Sequence, residues 1–282
     1  MKKPVRVLVT SDLTFGATAK DAVATLAGRM AATNPDAVVI AGNLGETVGE
    51  LRTTLALMKK AFICPVAFVP GNQDLFFQEK ISSHDLWTFA LRQVVEDHGV
   101  SYLQGSTLEL NGVVLLGSIG WYDYSAAHPD LPRTQEAWIQ TKLENNVADA
   151  MRIDWEWSDP EFASLVGKTL QANLESVEQD HNVREVAVIT HYPVFPWQII
   201  ATSGNDDRES QFTKLLQAYH GNYAMGSEIM CFPKVSAVVS GHVGTAGDQE
   251  IPRAQGKPIR SYLTGSSASH PGYVEILLGN SP

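Results

Sequence analysis

Val66-Ala-Phe-Val-Pro-Gly-Asn-Gln-Asp74 is the stretch whose reading decides the fold. Four residues suited to a buried strand run into Pro70, and a polar turn follows at once. The run reads as a strand covered on both faces, ending in a loop that presents Asn72, Gln73 and Asp74. Four other stretches have the same form: Val7-Leu-Val-Thr-Ser-Asp12, Val38-Val-Ile-Ala-Gly-Asn43, Val186-Ala-Val-Ile-Thr-His191 and Val235-Ser-Ala-Val-Val-Ser-Gly-His242. Each is an apolar run that stops at Asp, Asn or His. In open α/β sheets, ligands collect outside the carboxyl ends of the strands. Five such endings in one chain point to one shared polar site.

Segments of helical period lie between the early runs. Residues 18–33 carry Val23, Leu26, Ala27 and Met30 at helical spacing, with Thr18 as the N-cap. Residues 46–60 set Leu51, Thr54, Leu55 and Met58 on one face. This alternation predicts a parallel sheet with right-handed crossovers. A helix is expected over 82–98, with Leu86, Phe89, Ala90, Leu91 and Val94 apolar. Asn111-Gly112 then sits between two short β runs and signals a hairpin. Residues 126–158 lose clear periodicity, and Asp159-Pro160 opens a long helix to about Asp180. The segment 126–182 is expected to be a cap inserted into a single domain spanning 1–282. A helix over 208–220 and strands over 235–240, 259–264 and 272–278 complete the pattern.

The chain has 282 residues, 44% of them hydrophobic and 18% charged, which is ordinary globular composition. Its net charge of −10 argues against a general nucleic-acid or anionic-membrane binder. The basic start Met1-Lys-Lys runs into the first strand and reads as no signal peptide. No apolar stretch reaches the ~18 residues that span a bilayer. A cytoplasmic protein is expected. Cys64 and Cys231 lie in or beside apolar runs and read as buried free thiols, without zinc-site spacing.

In order along the chain, Asp12-Leu-Thr14, Gly42-Asn43, Gly71-Asn-Gln-Asp74, Thr190-His191 and Gly241-His-Val-Gly244 resemble the motifs of calcineurin-like metallophosphoesterases. The resemblance runs from residue 5 to residue 278. It implies a four-layer α/β/β/α sandwich with mixed sheets. It also implies a site where two metal ions, typically Mn, Fe or Zn, share a bridging carboxylate and promote attack on phosphorus.

This chain departs from that pattern at four positions. The His of Asp-x-His is Thr14, the bridging Asp is Asn43, the His of Gly-Asn-His-Asp is Gln73, and the second His of Gly-His-x-His is Gly244. By correspondence the metal residues are Asp12, Asn43, Asn72, His191 and His242. The catalytic candidates are Asp12, Asn72, Gln73 and His191, with Gln73 orienting phosphate. Two histidines and two amides carry no formal negative charge and hold a metal weakly beside carboxylate or thiolate sites. Two adjacent dications would also lack the anion that screens their repulsion. The expectation is at most one divalent transition metal and loss of ordinary two-metal hydrolysis. The alternative is a single-metal hydrolase of a small phosphorylated compound. The expected partner is a small phosphorylated ligand or a protein.

Taken singly, these residues also have plainer readings. Asp12 suits a loop cap, Asn43 and Asn72 suit turns, and His191 and His242 suit a satisfied core. Asp74, Asp123 and Tyr192 are expected at the rim of the same site. His84, His98, His128, His181, His220 and His270 lack motif support and read as surface or structural.

Overall fold

The computed structural model describes residues 3–14, 20–78, 80–131, 133–199, 208–254 and 256–279. Eleven strands run in chain order: β1 (Val5–Thr10), β2 (Ala37–Ala41), β3 (Val66–Val69), β4 (Ser101–Tyr102), β5 (Thr107–Leu110), β6 (Val113–Ser118), β7 (Glu185–Thr190), β8 (Val235–Ser240), β9 (Ala246–Ile251), β10 (Ile259–Thr264) and β11 (Val274–Leu278). They form two sheets, ordered β11-β1-β2-β3-β4 and β5-β6-β7-β8-β10-β9. Four neighbouring strands in each sheet are parallel: β1 to β4 in the first, and β6, β7, β8 and β10 in the second. β11, β5 and β9 pair antiparallel at the edges. Both sheets are therefore mixed, and the fold is the expected α/β/β/α sandwich.

The pleat sorts side chains by parity. Val5, Val7, Val9, Val39, Ala41, Ala67 and Val69 of the first sheet meet Val113, Leu115, Ala187, Ile189, Ala237 and Val239 of the second. On the opposite face Leu8, Val38, Ile40 and Phe68 meet helix residues Val23, Leu26, Met30, Leu51, Leu55 and Met58. Strands covered on both sides read as unbroken apolar runs, which is why they stood out. Pairing of Val9 with Val39, and of Val39 with Ala67, brings the ends of β1, β2 and β3 level. Pairing of Thr190 with Ser240 does the same for β7 and β8.

The helix Val48–Ala61 starts at a capping box between Thr47 and Glu50. The helix at Lys20–Ala31 is described without its expected cap, because Thr18 lies outside the described residues. The expected helix over 82–98 is interrupted by a π turn at Leu86–Ala90. The wider turn leaves Phe89 57% exposed, against its apolar reading, while Trp87 packs edge-on against Phe162 at 4.7 Å. Residues 126–182 hold helices Gln135–Glu144, Ala148–Arg152 and Asp159–Gln179. The last lies against β6 and buries Phe162, Val166, Leu170 and Leu174. The expected helix over 208–220 ends earlier, at Leu216, and passes into a 3-10 turn.

Two thiol expectations change. Cys231 is exposed and Cys64 only half-buried, because both stand in the turns that follow helices, after Ala61 and after Ile229. Both are free. Among the described residues, no helix is long and apolar enough to cross a membrane.

Candidate metal centre

The site is built from strand tips that turn sharply away from the sheets. Asp12 (φ 53°), Asn43 (φ 59°) and His242 (φ 64°) all adopt left-handed backbone. Asp, Asn and His enter this region more readily than other side chains, yet three together at one place is a strained arrangement of the kind that marks functional sites. The Asp12 amide donates to Gly42 O at 2.9 Å, which ties two tips together. Gly42 is itself at φ 86°, and a Cβ there would lie 2.5 Å from His191 Nδ1 and 2.6 Å from Gly71 Cα. Gly42→Ala is expected to cost about 2–3 kcal/mol in a denaturant titration, from the backbone region and the overlap together. A loss below 0.5 kcal/mol would mean the tip is looser than drawn.

The carboxylate of Asp12 is held by three protein donors. Oδ1 accepts from Asn43 Nδ2 at 2.9 Å, and Oδ2 accepts from Ser11 Oγ at 2.6 Å and the His242 amide at 2.9 Å. The orientation of the Asn43 amide is fixed by chemistry. Its oxygen accepts the Gln73 backbone N–H at 3.0 Å, so its NH2 must face Asp12. Thr14 Oγ1 donates to Gln73 Oε1 at 2.9 Å. Below them Asp74 accepts from the backbone N–H groups of Asn43, Leu44 and Gly71 at 2.7–2.8 Å. Burial pushes its carboxyl up to about 6, against the pull of those three donors.

His191 and Asn72 make a different kind of contact. His191 is fully buried, and its Nδ1 lies 2.8 Å from Ala41 O. A carbonyl only accepts, so Nδ1 carries a proton, and in the singly protonated ring Nε2 is the atom with a lone pair. Nε2 lies 3.1 Å from Asn72 Oδ1. That oxygen is identified by its own amide nitrogen, which donates to Asp149 Oδ1 at 2.7 Å. In that tautomer two acceptors face each other in a buried place. A cation satisfies such a pair.

His242 packs on His191, Tyr192 and His220, with ring centroids 5.0, 4.3 and 5.3 Å away. Burial, then the neighbouring His191 and His220, hold its imidazole well below the usual histidine range, so it is a neutral donor of lone pairs. Burial likewise lowers His220. Ligand atoms of Asp12, His191 and His242 lie within 4.8 Å of one another, a grouping able to hold a metal ion.

The structure therefore brings Asp12, Asn43, Asn72, Gln73, His191 and His242 into one cluster. It does not place Asp74 and Tyr192 on a rim. Both are buried beneath the cluster, because Asp74 caps three backbone amides and the Tyr192 hydroxyl donates to Asp149 at 3.1 Å. Asp123 is partly exposed and holds Ser125 instead. Sequence reasoning missed Asp149 and His220. His220 was read as surface or structural, yet its ring touches His242. The signal for Asp149 was the pair of Tyr122 and Tyr192, whose hydroxyls, once buried, need an acceptor.

The sequence profile of the calcineurin-like phosphoesterases matches residues 5–245. This chain belongs to the calcineurin-like phosphoesterase family. Among solved structures, the phosphopantetheinyl hydrolase of Mycobacterium tuberculosis is similar in fold. It is 16% identical with a TM-score of 0.71, over 96% of this chain and 92% of that one. A dimetal phosphatase of Danio rerio is 14% identical with a TM-score of 0.57, over 97% and 92%. No curated protein sequence matches. At these identities the solved structures speak for the fold alone.

Set against the calcineurin-like phosphoesterase pattern, the substituted positions are not idle. Asn43, where a bridging carboxylate is expected, donates to Asp12. Thr14 and Gln73, where histidines are expected, bond to each other. Protein hydrogen bonds thus join Asn43 to Asp12 and Thr14 to Gln73, while Asn72 Oδ1 faces His191 Nε2.

Proposed function

We propose that this calcineurin-like phosphoesterase holds at most one divalent transition metal, Mn, Fe or Zn, and lacks ordinary two-metal phosphoester hydrolysis. The observation that carries the reading is the 2.9 Å bond from Asn43 Nδ2 to Asp12 Oδ1. An N–H group stands against the carboxylate oxygen that would otherwise face metal, and no carboxylate is left to bridge a pair of ions. The remaining donors fit one ion: Asn72 Oδ1, His191 Nε2 and the neutral His242, with Asp12 within reach. A bound ion supplies positive charge for a phosphoryl oxygen. His242 and Asn72 orient what binds there, and the role is capture of a small phosphorylated ligand or of a protein that carries one. A second reading, hydrolysis at the single-metal site, is favoured by the imidazole of His220 beside it, which burial holds below the usual histidine range.

Metal analysis and titration with Mn²⁺ and Zn²⁺ test this, together with a phosphoester assay. One ion per chain is expected, with no turnover, and His191→Ala is expected to abolish binding. Turnover with one ion that His191→Ala removes would favour the second reading. Two ions per chain would overturn both.

A further inference from the structure

We propose that Asp149 is a positioning residue: it fixes the side-chain amide of Asn72 with its oxygen toward His191, and so creates the acceptor pair that faces a cation. The consequence for cation binding rests on the one-metal reading above. The orientation of the amide does not.

Asp149 is 4% exposed and sits on the short helix Ala148–Arg152. Its Oδ1 accepts from Asn72 Nδ2 at 2.7 Å, and its Oδ2 accepts from the hydroxyls of Tyr122 and Tyr192, each at 3.1 Å. The three donors come from loops after β3, β6 and β7. The carboxylate comes from far along the chain, 77 residues beyond Asn72. A carboxylate offers only lone pairs. Turning the Asn72 amide over would set its oxygen against Asp149 Oδ1 at hydrogen-bonding distance with no proton to share. It would also aim NH2 at His191 Nε2. With Asp149 in place that turn is opposed. Without Asp149 it is favoured, because the buried Nε2 gains a donor, and the cation position closes by an internal hydrogen bond. Residues that orient a ligand group typically change metal affinity 10–100-fold when lost.

The test uses the full chain, with and without metal. Asp149→Leu removes the acceptor at similar volume. Asp149→Asn keeps an oxygen that can face Asn72. Tyr122→Phe removes another donor to the same carboxylate and leaves Asn72 alone. In metal-free wild type, the Asn72 amide protons should give at most a weak NOE to His191 Hε1. In Asp149→Leu that NOE should become strong, and the His191 Nε2 resonance should move as the nitrogen accepts a proton donor. Affinity for Zn²⁺ should fall about 10–100-fold in Asp149→Leu. Asp149→Asn and Tyr122→Phe should keep it within about threefold by the same scale. A strong NOE already present in wild type would overturn the proposal, even if Asp149→Leu does not fold. So would an equal loss of Zn²⁺ affinity in Tyr122→Phe. If wild type takes up neither Mn²⁺ nor Zn²⁺, the consequence for cation binding falls, and the NOEs still decide the role of Asp149.

Discussion

Asn43→Asp is expected to make the stability of this fold depend on an added divalent cation. The new side chain keeps the bond from the Gln73 amide but replaces the NH2 that faces Asp12 with an oxygen. Two carboxylates then stand about 3 Å apart, and like charges that close cannot both ionise freely. A charged group losing its partner there costs about 3 kcal/mol. At about 2–4 °C per kcal/mol for a chain near this size, the melting temperature in chelator should fall by about 6–12 °C. Mn²⁺ at about 100 times its dissociation constant should return about 2.7 kcal/mol. The parent should show a smaller response to Mn²⁺ than the variant. Equal melting temperatures for parent and variant in chelator would mean that Asn43 does not hold Asp12 as drawn.

Asp159→Ala should be the most damaging single change in residues 126–182. Asp159 Oδ1 and Oδ2 accept from Lys142 Nζ at 2.9 and 3.0 Å, and the two side chains are only 8% and 9% exposed. Trp121 Nε1 and the Tyr124 hydroxyl donate to the same carboxylate at 2.9 and 2.6 Å. Removing the carboxylate strands a buried cation, which costs about 3–5 kcal/mol. The pair itself need not be strongly stabilising, since desolvation offsets much of its attraction. Lys142→Met placed in the Asp159→Ala background should therefore raise stability again, although it removes a second native side chain. Denaturant titrations of the three variants decide it. A double variant weaker than Asp159→Ala alone would rule out the stranded charge as the cause.

Much of the architecture was legible because strands buried on both faces leave nothing polar in their runs. Val38-Val-Ile-Ala and Val186-Ala-Val-Ile announce themselves, and so do the polar residues where each run stops. The same logic fails for β9. Ala246-Gly-Asp-Gln-Glu-Ile251 is an exposed edge strand, so neither face needs an apolar pattern, and it was not foreseen. Phe89 misled because a π turn changes the helical period locally. Asp149 was invisible for a different reason. Its helix has five residues, too few to show a period, and its partners lie in three loops remote in sequence. His220 follows a 3-10 turn with no motif around it, and only the folded chain shows that it meets His242. Burial of Asp74 and Tyr192 was hidden too, since a residue after a strand can turn either outward or under its own loop.

The donors of the candidate site divide between the two sheets. Asp12, Asn43 and Asn72 ride on β1, β2 and β3, whereas His191 and His242 ride on β7 and β8. Between the sheets lies a layer of Val, Ala, Ile and Leu, and the directional bonds that cross it gather at its ends, among them His191 Nδ1 to Ala41 O and the His242 amide to Asp12. Anything grasped by both sets of tips therefore works as a clasp across that seam. Its grip and the alignment of the two halves of the molecule would rise and fall together, so that a substitution deep in the Val–Ala layer could loosen a ligand it never touches.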